Sequence, residues 1–227
     1  MIECFALQIP VGIFDVHFLK GKNRHLLVFV PGFMEPRFGF FNIWSEMAYY
    51  FHEKGYSCLL FDLAGQGESC FPLSFNIWNQ QRNAILQQFA DYKVHFVARG
   101  IGTVFLSTNQ IHIAINPSLL ESVAKQFEHI RWKPSPSCND CLVLAEPYAL
   151  LDVEKECFHR LGVPMENICT LQLPASFVKD LPKRLPSKLP DNILCYETEE
   201  NRSILGMRSQ RDALRRLIEN DLAMNLS

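Results

Sequence analysis

The chain has no surplus of positive charge, no long apolar run and no internal repeat, and each absence removes a class of function. Lys and Arg number 22 against 24 Asp and Glu, a formal net charge of −2. Nothing is left over to neutralise a phosphate backbone, so nucleic acid is excluded as a partner. No apolar stretch approaches the roughly 20 residues that span a bilayer. No Lys or Arg precedes Lys20, so the basic front of a secretory leader is missing as well. These features imply a cytoplasmic protein without a membrane span.

A disulfide framework is also lacking. The eight cysteines, at 4, 58, 70, 138, 141, 157, 169 and 195, fall mostly in apolar segments, where a free thiol behaves as a small hydrophobe. Two of them, Cys138 and Cys141 in "CNDC", have the spacing of a redox pair or half a zinc site, and Cys157 with His159 in "ECFH" could complete four ligands. Cys141 opens a predicted strand, however, and Cys157 lies within the helix that follows. Side chains so placed seldom converge on one ion, so no metal and no cofactor is expected.

What is present is apolar content, 48% over 227 residues, enough for the core of a single domain covering 1–227. Predicted strands and helices alternate. "ECFALQI" and "IFDVHFL" lead, then "HLLVFV" reads as a strand buried on both faces. A helix begins after Asn42 and stops at Gly55. The strand "YSCLLFDLAG" follows, then a helix with Trp78, Ile85 and Phe89 inward, strand "KVHFVA", helix "IGTVFLSTN" and strand "IHIAIN". Helix "LLESVAKQFEHI", strand "CLVLA", helix "DVEKECFHRLG" and strand "NICTLQL" continue the pattern. Such alternation predicts a mostly parallel central sheet with helices on both faces. Pro182, Pro186 and Pro190 in "LPKRLPSKLPDN" predict an extended segment. Near the end, Leu214, Leu217, Ile218 and Leu222 form an apolar stripe at helical spacing, which predicts a docked helix.

Three local patterns in this order resemble the α/β-hydrolase fold. "VFVPGF" is similar to the strand that ends beside the oxyanion hole, "FDLAGQGES" to the Asp-x-x-Gly-x-Gly-x-Ser loop, and "ARGIG" to the nucleophile elbow Gly-x-Ser-x-Gly. The resemblance covers roughly residues 25–180. It implies that Phe33 or Met34, together with Ile101, stands where backbone N–H groups would form the oxyanion hole. No large lid domain is expected, because one helix and a short loop separate "IHIAIN" from "CLVLA".

The same resemblance implies a triad that the residues do not supply. Gly100 occupies the serine position of the elbow, Tyr148 in "AEPY" the acid position and Ser176 in "ASF" the histidine position. Glu146 is a possible substitute acid and Cys70 a possible substitute nucleophile, since a thiol ionises more readily than a hydroxyl. None of the seven histidines falls on a catalytic loop. Glycine does fit the strained backbone of an elbow without a Cβ clash.

Around the oxyanion-hole position, "PGFMEPRFGFFNIW" gathers six large apolar side chains about Arg37, and Arg99 precedes Gly100. The ordinary account is core packing. The sharper one is an apolar mouth with Arg37 and Arg99 as cationic ligand anchors. Together these observations imply a catalytically degenerate α/β-hydrolase-fold protein that binds a small molecule or a protein partner. The alternatives are an active hydrolase, esterase or acyltransferase with an unconventional nucleophile, and a thiol or metal-binding protein.

Overall fold

The computed structural model describes residues 2–33, 35–39, 42–105, 111–117, 119, 132–135, 139–144, 172–189, 193–196 and 208–224. The predicted helices "LLESVAKQFEHI" and "DVEKECFHRLG" lie outside these residues, as do Met34, Cys138, Glu146, Tyr148, Cys157 and His159.

The chain packs into two compact units, Met1–Ser118 with Lys188–Ser227, and Leu119–Ser187. In the first unit, β1 (Ile2–Ile9) and β2 (Gly12–Leu19) form an antiparallel hairpin. They are followed by β3 (His25–Val30), α1 (Ile43–Glu53), β4 (Ser57–Phe61), α2 (Phe75–Gln88) and β5 (Lys93–Arg99). A 3-10 turn (Gly100–Phe105) and β6 (Ile111–Ile115) come next, and β10 (Leu194–Tyr196) and α4 (Arg208–Met224) complete the unit. The second unit contains β7 (Trp132–Pro134), β8 (Cys141–Leu144), β9 (Gln172–Pro174) and α3 (Ala175–Arg184).

The large sheet has the strand order β1-β2-β4-β3-β5-β6-β10. From β4 to β10 every pairing is parallel. Burial on both faces explains why apolar residues dominate the buried stretches of β3, β4 and β5, whereas β1 alternates towards its end because only one of its faces is covered. On one face Leu27, Phe29, Val97, Ile113 and Ile115 meet Trp44, Met47 and Phe51 of α1 and Leu214, Ile218 and Leu222 of α4. On the other, Phe61 and Phe96 pack against Phe105, with ring centroids 5.4 and 6.2 Å away. There Trp78 of α2 donates its indole N–H to the Ala64 carbonyl at 2.9 Å.

The expected stripe on α4 is therefore a docking face. Leu214, Ile218 and Leu222 are buried, and Leu217 is packed at the margin. Arg211 and Arg215 both pair with Glu46 of α1, while Tyr50 donates to Glu219 at 2.9 Å.

Two expectations need correction. "CLVLA" is not the next strand of the parallel sheet; as β8 it pairs antiparallel with β7 and β9 in a separate three-stranded sheet. β6 lies between β5 and β10, so β7, β8, β9 and α3 all intervene in the sequence before its second parallel neighbour. The proline-rich segment also begins as helix. Pro182 lies inside α3, which ends at Arg184, and the extended conformation starts at Leu185. Pro182 has no N–H to give the Val178 carbonyl and its ring crowds that carbonyl, and the helix ends two residues later.

Candidate functional site at the strand ends

Parallel strands collect ligands at their carboxyl ends, and here the ends of β3, β4 and β5 are each followed by a tightly specified loop. The elbow exists as expected. β5 ends at Arg99, Gly100 takes φ 52°, and the chain turns directly into the 3-10 segment. A left-handed φ is where glycine is preferred. At Gly102 the requirement is steric, because a Cβ there would lie 2.4 Å from the Pro31 carbonyl oxygen. The turn is closed by Thr103, whose hydroxyl donates to the Gly100 carbonyl at 2.7 Å.

The Asp-x-x-Gly-x-Gly-x-Ser loop is built around one carboxylate. Asp62 accepts the backbone N–H of Arg37 at 2.7 Å, the Arg37 Nε–H at 2.8 Å and the backbone N–H of Glu68 at 3.2 Å. Gly67 must lack a side chain because its Cβ would fall 2.1 Å from an Asp62 oxygen, and a Cβ on Gly65 would collide with the Leu73 backbone. The motif thus joins the loop after β4 to the loop after β3.

Arg37, expected as a ligand anchor, is buried, and its guanidinium is engaged within the protein. It pairs with Asp62 at 2.8 Å and with Glu68, and donates to His17 Nε2 at 3.1 Å. Burial pushes the His17 imidazole below its usual pKa, with the Arg37 charge adding to the effect and Asp62, Glu68 and Asp15 opposing it. It is therefore held neutral, as an acceptor of the Arg37 proton must be. Arg99 is likewise buried and pairs with Glu35 at 2.7 Å. In the aromatic loop Trp44 is 0% exposed and stacks on Phe29 at 5.6 Å, Phe38 is half-buried and packs on His17 at 5.5 Å, and Phe40 and Phe41 lie outside the described residues. Phe33 is half-buried, Ile101 is buried, and Met34 lies outside the described residues.

Ser176 is exposed on the first turn of α3, in the second unit. Tyr148 and Glu146 follow β8, which is not part of the sheet that carries the elbow. The parallel strand that succeeds β6 is β10, and the sequence after it reads Glu197, Thr198, Glu199, Glu200, outside the described residues. No histidine stands between Tyr196 and Ser227.

Cys70 is exposed and lines a shallow surface depression, together with Ile13, Phe14, Arg37, Asp62 and Phe71. Cys141 is half-buried, and no cluster of three or more metal-ligating side chains occurs among the described residues. Sequence reasoning passed over Glu35. Its one available signal is a charged residue inside an otherwise apolar, aromatic loop.

No family model and no curated protein matches the chain. Solved structures do. Alpha/beta hydrolase domain-containing protein 10 from mouse is 15% identical, with TM-score 0.62 over 99% of this chain and 100% of that one. Alpha/beta hydrolase GrgF from Penicillium sp. sh18 is 13% identical, with TM-score 0.58 over 96% of each chain. The esterase Pf2001 of Pyrococcus furiosus is 10% identical, with TM-score 0.53 over 97% of this chain and 92% of that one. At these identities the likeness is one of fold.

Proposed function

We propose that this chain, which has the α/β-hydrolase fold, uses the scaffold to bind a small molecule or a protein partner and not to hydrolyse a bond. The observation that carries this reading is Gly100, at φ 52° on the turn where the fold holds its nucleophile. A residue without a side chain cannot attack a carbonyl. Among the described residues, the histidines nearest the strand ends are engaged or distant, which supports the same reading. His17 is bound to Arg37, and His95 is hydrogen-bonded to His25 four residues before the end of β5.

The test is an ester assay. The purified chain should hydrolyse short-chain activated esters no faster than an unrelated protein of similar size, and it should take no label from a fluorophosphonate. Turnover above that control sinks the reading.

One observation favours a thiol hydrolase or acyltransferase as a second reading: Cys70 is exposed at the surface depression. Turnover that disappears in Cys70→Ala would establish it.

A further inference from the structure

The strand-end site already contains a carboxylate, contributed by the chain itself. Glu35 is 0% exposed. Its Oε2 accepts the Gly32 backbone N–H at 2.7 Å, and its Oε1 accepts Arg99 Nη1–H at 2.7 Å. The Glu35 N–H returns to the Gly32 carbonyl at 3.3 Å, closing the turn. Gly32 lies just beyond β3, Arg99 ends β5, and the two strands are paired up to Val30 and Ala98. A backbone donor and a guanidinium from neighbouring strand ends thus meet on one anion. Both bonds are of the charge-assisted kind that recognises carboxylates. The position is also specific, because a Cβ on Gly32 would stand 3.2 Å from Glu35 Oε2.

We infer that Gly32 N–H and Arg99 form a receptor for a small carboxylate whose resident occupant is Glu35, and that this occupant closes the strand-end site to free anions. The inference rests on the non-catalytic reading of the elbow and adds to it the class of ligand the site refuses. In the native chain both donors are already satisfied by Glu35, so a free anion would have to displace a carboxylate that is tethered beside them. Arg37 offers no alternative, because its guanidinium faces Asp62 and Glu68. An anion therefore binds at these donors only when the tethered carboxylate is removed.

Glu35→Ala removes it and leaves a void of carboxylate size beside both donors. Thermal melts of this variant in sodium formate and in sodium chloride at equal ionic strength read out the receptor. The expected result is a Tm that rises by several degrees and saturates with formate, whereas the unmutated chain melts identically in both salts. If Glu35→Ala folds only when formate is present, that is the same result in stronger form. The double variant Glu35→Ala with Arg99→Met should lose the response. A Glu35→Ala protein indifferent to formate, or unfolded in both salts, overturns the inference, as does saturable stabilisation of the unmutated chain by formate. Ester turnover by the unmutated chain would overturn the non-catalytic reading alone, since the formate response does not depend on it.

Discussion

Gly100 and the pair His25 and His95 show what single residues contribute to this molecule. At φ 52°, Gly100 sits where any other residue is strained. Gly100→Ser should lower stability by about 1–2 kcal/mol, the usual cost of a left-handed conformation for a residue with a Cβ. It should yield no esterase, because no base is placed to activate the new hydroxyl; a denaturant melt and an ester assay on one preparation measure both. The histidines make a different case. His25 Nδ1 and His95 Nε2 are 2.9 Å apart with rings nearly parallel, an arrangement that needs a protonated nitrogen facing an unprotonated one and is lost when both rings are charged. Burial, and then the nearby Lys93 charge, lower the His25 pKa, and Tyr56 packs edge-on against its ring. A histidine depressed in the folded state binds its proton more readily when unfolded. Its contribution is therefore complete above the unfolded pKa of about 6.5 and is lost as pH falls towards the folded value. Melts from pH 8 to pH 5 should show stability declining below about pH 6.5. His25→Phe should make that decline shallower without abolishing it, because His17 is shifted in the same direction.

Loops and helices are positioned by a few fixed partners. The loops after β3 and β4 meet through Asp62 and Arg37, whose side chains are each 6% exposed. Asp62→Ala leaves the buried guanidinium with only the exposed Glu68 and takes the acceptor from the backbone N–H groups of Arg37 and Glu68, so it should cost about 3–5 kcal/mol. Equilibrium urea unfolding measures it, and a loss below about 1 kcal/mol would place the pair among exposed bridges. Helix α4 is held by apolar contacts with a charged margin. Leu214→Ala should cost about 2–5 kcal/mol, the range for a fully buried leucine. Arg211→Ala, acting on a partly exposed bridge to Glu46, should cost no more than about 1 kcal/mol.

For the whole molecule, the near balance of charge predicts that the chain will not retard duplex DNA in a gel at low salt, the condition most favourable to non-specific binding. No helix among the described residues is long and apolar enough to cross a membrane. The sequence by itself determined the strands β3 to β6 and the helices α1, α2 and α4, because periodicity and apolar runs are local records of which faces are covered, whereas the helix expected in "IGTVFLSTN" is a 3-10 segment, Gly100–Phe105, as far as the described residues go. The elbow and the glycine loop were also legible, since left-handed or crowded positions constrain residue type directly. Pairing was not. β8 and a strand of the parallel sheet have the same local signature, four to eight apolar residues between turns, and only the completed ladder assigned β8 to a second sheet and β10 to the first. Charge partnership was equally hidden: Arg37 and Arg99 read as available cations, and Glu35 and Asp62 engage them across 64 and 25 residues of chain. Which carboxylate meets which guanidinium is decided where strand ends converge, a distance in space that sequence separation does not encode.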